Sequence, residues 1–254
     1  MKIIIAGAGA VGTHLARLMS RDHEDCTLVD EDAERLEGLD SEYDIMTMEG
    51  SPTSIKTLKE AGAEDADIFV AVTPDESRNM TSCIMAHAIG AKKTVARIDN
   101  YEYLSPKMGS FFRNIGIDSL IYPEVLAAID INNGLKMSWV RQRWDVHGGA
   151  LVMLGIKLRA TCEILNRPLR ELCGPDDPYH IVAYFMTTKE YIPYIRKIVG
   201  KEQYADVKNV IIMGGGKTSV RAALTAPKYL DIKIIETDEH RCEQLNELLS
   251  DTDT

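Results

Sequence analysis

Gly7, Gly9 and Gly12 recur at the spacing of a phosphate-binding turn, in the run Gly7-Ala8-Gly9-Ala10-Val11-Gly12. The chemistry open to such a run is non-covalent: backbone N–H groups and the positive end of a helix close on a pyrophosphate. Gly7 allows the tight turn, Gly9 lets the phosphates approach the backbone, and Gly12 lets the helix lie against the strand before it. Asp30 follows at about the distance expected of the acid that hydrogen-bonds a ribose. An acid there repels a 2′-phosphate, so the expected ligand carries a free adenosine ribose: NAD(H), ATP or ADP, and not NADP. The plain alternative is that the glycines only close a βα turn and Asp30 caps the helix starting near Glu31. Context and spacing are both satisfied, which favours the nucleotide.

These residues need a strand, a turn and a helix in that order. Lys2-Ile3-Ile4-Ile5-Ala6 is an almost wholly apolar run, as in a strand buried on both faces, and Leu15, Leu18 and Met19 give the following helix its apolar side. Cys26 to Val29 makes a second strand, 32–39 a short helix, and 44–48 a third strand. The turn after it holds Ser51 and Pro52 at the carboxyl edge, where the adenine end of a ligand would rest; Ser51 and Thr53 also suit simple capping. A fourth strand, 67–72, ends in Thr73-Pro74-Asp75-Glu76, where the two acids suit the start of the 75–89 helix and Thr73 is the better binding candidate. A fifth strand, 93–98, brings Arg97 to the same edge. Its guanidinium either meets a ligand phosphate or pairs with Asp99 or Asp75. A helix over 101–114 and a strand over 119–122 complete an α/β, doubly wound parallel sheet of Rossmann type, with predicted order 3-2-1-4-5-6.

A helix from Pro123 to about residue 142 carries Val125, Leu126 and Ile129 with no sheet position left to cover, which predicts a homodimer. The first domain is placed at 1–145. Residues 146–206 read as a small α+β domain with β-like runs at 150–158 and 180–186. Ile181-Val182-Ala183 passes into Tyr184-Phe185-Met186 without a hairpin turn, so the domain reads as shortened near 183–184. Val210 to Gly216 then repeats the opening, with Gly214 for Gly7, Gly216 for Gly9 and Ser219 for Gly12, and Ile234-Ile235-Glu236 repeats Leu28-Val29-Asp30. This start of a second Rossmann-like unit, 207–254, is expected to be a fragment of a longer protein or to be completed by another chain. Its missing third glycine makes the first copy the expected site. Gly216-Lys217-Thr218 resembles the end of a P-loop, but Ile211 stands where that motif needs glycine.

The 254 residues are 45% hydrophobic and 27% charged, ordinary for a soluble globular protein. No apolar run approaches a membrane span and no signal-peptide pattern opens the chain, so a cytosolic protein is expected. A net charge of −10 argues against nucleic acid, which needs a basic stripe. Cys26, Cys83, Cys162, Cys173 and Cys242 are scattered, with no CxxC and no histidine at ligand spacing, and read as reduced thiols outside any metal site. An NAD-dependent dehydrogenase is the alternative function, but His147 and His180 stand isolated, with no partnered acid or lysine for proton transfer and no substrate domain. No catalytic residue is expected.

The glycine run, Asp30, Gly50-Ser51-Pro52-Thr53, Thr73 to Asn79, Val95-Ala96-Arg97-Ile98, Arg167-Pro168-Leu169 and the duplication together resemble the TrkA family, cytosolic regulatory proteins of bacterial Trk potassium uptake built from RCK (KTN) domains. The resemblance covers the whole chain. It implies NAD(H) or ATP/ADP in the first domain, with Gly7 to Gly12 on the phosphates, Asp30 on the ribose, Ser51 and Pro52 on the adenosine side, and Thr73, Pro74 and Arg97 toward the outer phosphates. It further implies a homo-oligomeric ring at the inner face of the membrane beneath a Trk-type potassium channel subunit, gated by nucleotide state. Ser51 stands where the family usually has aspartate.

Overall fold

The computed structural model describes residues 1–160, 162–181 and 184–250. They fall into two compact units, Met1–Pro123 and Glu124–Thr254.

The first unit alternates strand and helix: β1 (Lys2–Ala6), α1 (Ala10–Arg21), β2 (Asp25–Asp30), α2 (Ala33–Leu36), α3 (Leu39–Glu42), β3 (Met46–Glu49), α4 (Ile55–Glu60), β4 (Ile68–Ala71), α5 (Glu76–Ile89), β5 (Thr94–Arg97), α6 (Pro106–Asn114) and β6 (Ser119–Ile121). The strands form one sheet in the order β3-β2-β1-β4-β5-β6, and every pair is parallel. This is the predicted doubly wound order. Its reversal lies at β1 and β4, where Ile3 pairs with Ile68 and Ala6 with Ala71.

Strand β1 is central, so Ile3, Ile4 and Ile5 are all buried. On one face Ile4, Phe69, Ala71, Cys83, Ala86 and Phe112 form a core beneath α5 and α6. On the other, Ile3, Ile5 and Leu28 meet Ala16 of α1. Burying Phe69 alone contributes about 2–3 kcal/mol. Burial also pushes the Cys83 thiol up to about 12 and the Cys26 thiol up to about 11, so both stay protonated and unreactive.

Local chemistry sets the helix starts. Ser54 caps α4 by accepting from Thr57 N, and Asp75 caps α5 by accepting from Arg78 N. The helix expected over 101–114 divides: residues 101–104 form a 3-10 turn and α6 begins at Pro106, whose missing N–H suits a first helical position. The segment expected as one short helix over 32–39 is likewise two single turns, with Gly38 between them in a left-handed conformation.

The second unit holds α7 (Pro123–Lys136), which starts at the last residue of the first unit, then β7 (Gln142–Val146), β8 (Leu151–Gly155), α8 (Leu169–Leu172), β9 (Tyr179–Ile181), β10 (Phe185–Thr187), α9 (Ile192–Ile198), β11 (Asn209–Met213), α10 (Lys217–Leu224), β12 (Asp231–Ile235) and α11 (Glu239–Ser250). Helix α7 ends about a turn and a half before the expected limit. Leu126, Ile129 and Ile131 are exposed on it. Strands β7-β8-β10-β9 make an antiparallel sheet over Val152, Leu154, Phe185 and Ile195. The run expected over 180–186 is two antiparallel strands, with Phe185 opposite Ile181. The expected shortening at 183–184 falls on a segment whose residues 182 and 183 lie outside the described residues.

Strands β11 and β12 pair in parallel, and their turn repeats the first in detail. Gly214 N donates to Ile235 O at 2.7 Å as Gly7 N donates to Val29 O at 2.8 Å, with φ of 94° and 109° at the two glycines. Inside this unit the buried Asn132 of α7 donates to Ala222 O and to Thr225 Oγ1.

Candidate nucleotide-binding site

At the carboxyl edge of the first sheet the glycine turn is built as its spacing requires. Gly7 has φ +109°, and a Cβ there would sit 3.0 Å from Thr73 N. A Cβ on Gly12 would fall 1.7 Å from Gly7 O, which is the close helix–strand approach that only glycine allows. Gly9 is the N-cap of α1 with ordinary φ of −74°, and a Cβ on it would meet nothing within 4 Å. The space in front of Gly9 is open.

Helix α1 also lacks the side-chain cap that finishes α4 and α5, and it has no acid in its first turn. Its leading N–H groups, Ala10 and Val11 among them, have no acceptor within the helix, and its dipole favours an anion at this end. The Ala8 N–H is already taken. It donates to Asp30 Oδ2 at 2.6 Å, while Asp32 N donates to Oδ1 at 2.9 Å. The carboxylate thus braces the turn and also lines the cleft, and each of its oxygens keeps lone-pair capacity beyond the one bond it accepts.

A cleft of about 540 Å³ opens beside the turn. Gly7, Asp30, Pro52, Thr73 and Pro74 line it together, so five expected residues from four loops converge. Ser51 does not line it; it lies within hydrogen-bond reach of Thr53 Oγ1 and is bonded to Glu31, which does. Ala10, Val11 and Arg97 do not line this cleft. They border a second, almost wholly apolar groove of about 420 Å³ with Leu15, Val72 and Ile121. The first opening touches the turn at Gly7, and the second runs along α1 from Ala10 to Leu18. Arg97 lies 3.7 Å from Asp99 through Nη2, and its Nε is buried with no hydrogen-bond partner among the described residues.

Asn79, Glu31 and Arg78 take part in ways the linear pattern does not single out. Asn79 Oδ1 accepts from Thr73 N at 2.9 Å and from Thr73 Oγ1 at 2.6 Å, and Nδ2 donates to Thr73 O and to Arg97 O. One buried amide therefore ties the end of β4 to the end of β5. The single Thr73 hydroxyl proton has two acceptors within the protein, Asn79 Oδ1 and, at 3.2 Å, Asp75 O, which leaves its lone pairs for the cleft. Asn79→Ala should cost about 3 kcal/mol, because it takes the partner from the buried Thr73 N–H and from two carbonyls, Thr73 O and Arg97 O; urea denaturation of the variant measures this. Glu31 joins three loops: it bonds Ser51 and lies 2.5 Å from Arg78 Nη1. The Ser51 hydroxyl, followed by the Arg78 guanidinium, holds its carboxyl below the usual range.

The second turn has the same bracing acid. Gly215 N donates to Glu236 Oε2 at 2.6 Å, and with the N–H groups of Asp238 and Thr237 it holds that carboxyl at about 2. Arg241 Nε donates to Gly215 O at 2.9 Å. Among the described residues no three His, Cys, Asp or Glu side chains are placed to hold a metal, and no helix is long and apolar enough to cross a membrane.

The TrkA-N domain family matches residues 3–123. The Trk system potassium uptake protein TrkA of Haemophilus influenzae is 34% identical over 99% of this chain and 60% of its own length. A TrkA homolog of Methanothermobacter thermautotrophicus is 31% identical, over 76% of this chain and 86% of the relative. The chain spans about 60% of the length of the TrkA proteins of H. influenzae, Halomonas elongata and Vibrio alginolyticus. In fold it is similar to the GsuK RCK domain, with TM-score 0.62 and 15% identity over 94% of this chain and 56% of that one. The GsuK channel bound to NAD aligns with TM-score 0.58 and 13% identity over 96% of this chain and 50% of that one.

Proposed function

Because this chain belongs to the TrkA family, we propose that it is a nucleotide-sensing, non-enzymatic regulator of a membrane potassium-uptake channel of the Trk type. The observation that carries the reading is the uncapped start of α1 beside the Asp30-lined cleft: an anion seat and a ribose acceptor side by side. The ligand is NAD(H) or ATP/ADP, its adenosine against Asp30, Ser51 and Pro52 and its phosphates along Gly7, Ala8, Gly9, Ala10, Val11 and Gly12. Thr73 and Pro74 close the cleft side. The protein works at the cytoplasmic face of the membrane as a homodimer or larger homo-oligomer, and the exposed Leu126, Ile129 and Ile131 of α7 are the surface for a second copy. A ligand gates this assembly only by binding one of its shapes more tightly than the other.

Raised melting temperature with ATP, ADP, NAD or NADH tests the reading; no rise with any of them would overturn it. Arg97 lies past the start of α1 from the adenosine cleft, where a third phosphate would arrive. Arg97→Ala is accordingly expected to weaken ATP binding about fivefold more than NAD(H) binding, a charge-assisted contact being lost from one ligand only. Equal losses in calorimetry would remove Arg97 from that role.

A further inference from the structure

We propose that Arg78, held in place by Glu31, is the platform on which the adenine base stacks. The inference rests on the nucleotide reading above and names a residue that reads one part of the ligand.

Topology puts the pair over the ligand. Glu31 follows β2 directly and Arg78 lies in the first turn of α5, after β4. In the order β3-β2-β1-β4-β5-β6 the strand between β2 and β4 is β1, which carries the glycine turn. A 2.5 Å contact between residues 47 positions apart thus bridges the carboxyl end of β1, and Arg78 lines the cleft beneath.

Charge says which end of a nucleotide lies there. Asp30, Glu31, Asp32 and Glu34 line this cleft against Arg35 and Arg78 alone. Four carboxylates against two guanidinium groups repel phosphates, which have their own seat at the open start of α1. The uncharged part of the ligand, ribose and base, belongs here. Pro52 and Pro74 give the same cleft flat apolar sides. A guanidinium whose charge is already met by a carboxylate offers a ligand mainly its planar face, and that face stacks on aromatic rings. Glu31 positions it, and Ser51 positions Glu31.

Calorimetric titration of the full chain with AMP, ADP, ATP and NADH separates the alternatives. Arg78→Ala and Arg78→Lys should each lose about fivefold in affinity, by the same factor for all four ligands, because lysine keeps the charge and loses the plane. Glu31→Gln should lose less, and all three variants should melt as the parent does. Wild-type affinity in Arg78→Lys, or a loss that grows from AMP to ATP, would overturn the stacking role while leaving nucleotide binding intact. Absence of binding by the parent chain to all four ligands would overturn both.

Discussion

Gly12→Ala is expected to destabilise the first unit by about 3 kcal/mol or more, while Gly9→Ala leaves its stability unchanged. The two glycines are three residues apart and serve different ends. A Cβ on Gly12 would lie 1.7 Å from the Gly7 carbonyl oxygen, backbone that cannot move without parting α1 from β1. A Cβ on Gly9 meets no protein atom within 4 Å and needs no unusual φ. Among the described residues nothing requires position 9 to be small. Gly12→Ala should therefore appear in urea denaturation, and Gly9→Ala should appear in ligand titration.

Asp30→Ala should weaken NADH binding about tenfold or more, on the scale of a lost hydrogen bond to a charged acceptor. NADPH, which a carboxylate at this place repels, should lose far less, so the preference for the free ribose narrows. The same substitution takes the acceptor from Ala8 N and Asp32 N. A stability loss of about 1–3 kcal/mol should accompany the change in affinity. Parallel calorimetry with NADH and NADPH, alongside denaturation, checks both effects. An unchanged NADH-to-NADPH ratio would show that Asp30 braces the turn and does not read the sugar.

The parts of this site that were legible in the sequence are those whose signal is local. A strand buried on both faces reads as an apolar run, and Gly7, Gly9 and Gly12 sit within one turn and one helix start. Asp30 lies at the end of the adjacent strand, so its distance along the chain carries its position in space. Strand order followed from regular alternation of strand and helix. What depended on side-chain direction was less legible. Arg97 stands at the expected strand end, yet it borders the apolar groove with Val11 and not the cleft with Asp30. Asn79 belongs to the Thr73 to Asn79 segment, but its role is not legible there, because its four side-chain hydrogen bonds go to Thr73 and to Arg97, on another strand. Glu31 and Arg78 meet across the end of β1, and nothing near either residue marks the other. In the second unit, β9 and β10 read as one run because their apolar residues follow one another closely, and only their antiparallel register separates them.

These distinctions bear on mechanism. If the phosphate seat and the adenosine cleft are separate, ligands that share adenosine differ only in what they carry past the start of α1 toward Arg97. Discrimination between a dinucleotide and a triphosphate would then come from one side of the helix, and affinity common to both from the other. Asn79 joins the two sides through Thr73 and the Arg97 carbonyl, so a shift at one strand end would be felt at the other.

The most direct test of nucleotide binding at the first glycine turn is calorimetric titration of ADP into the parent chain and into Gly9→Ala. Saturable binding by the parent, with an affinity loss of about tenfold or more in a variant that melts at the parent temperature, is the predicted result. No binding by the parent, or equal binding by both, would contradict it.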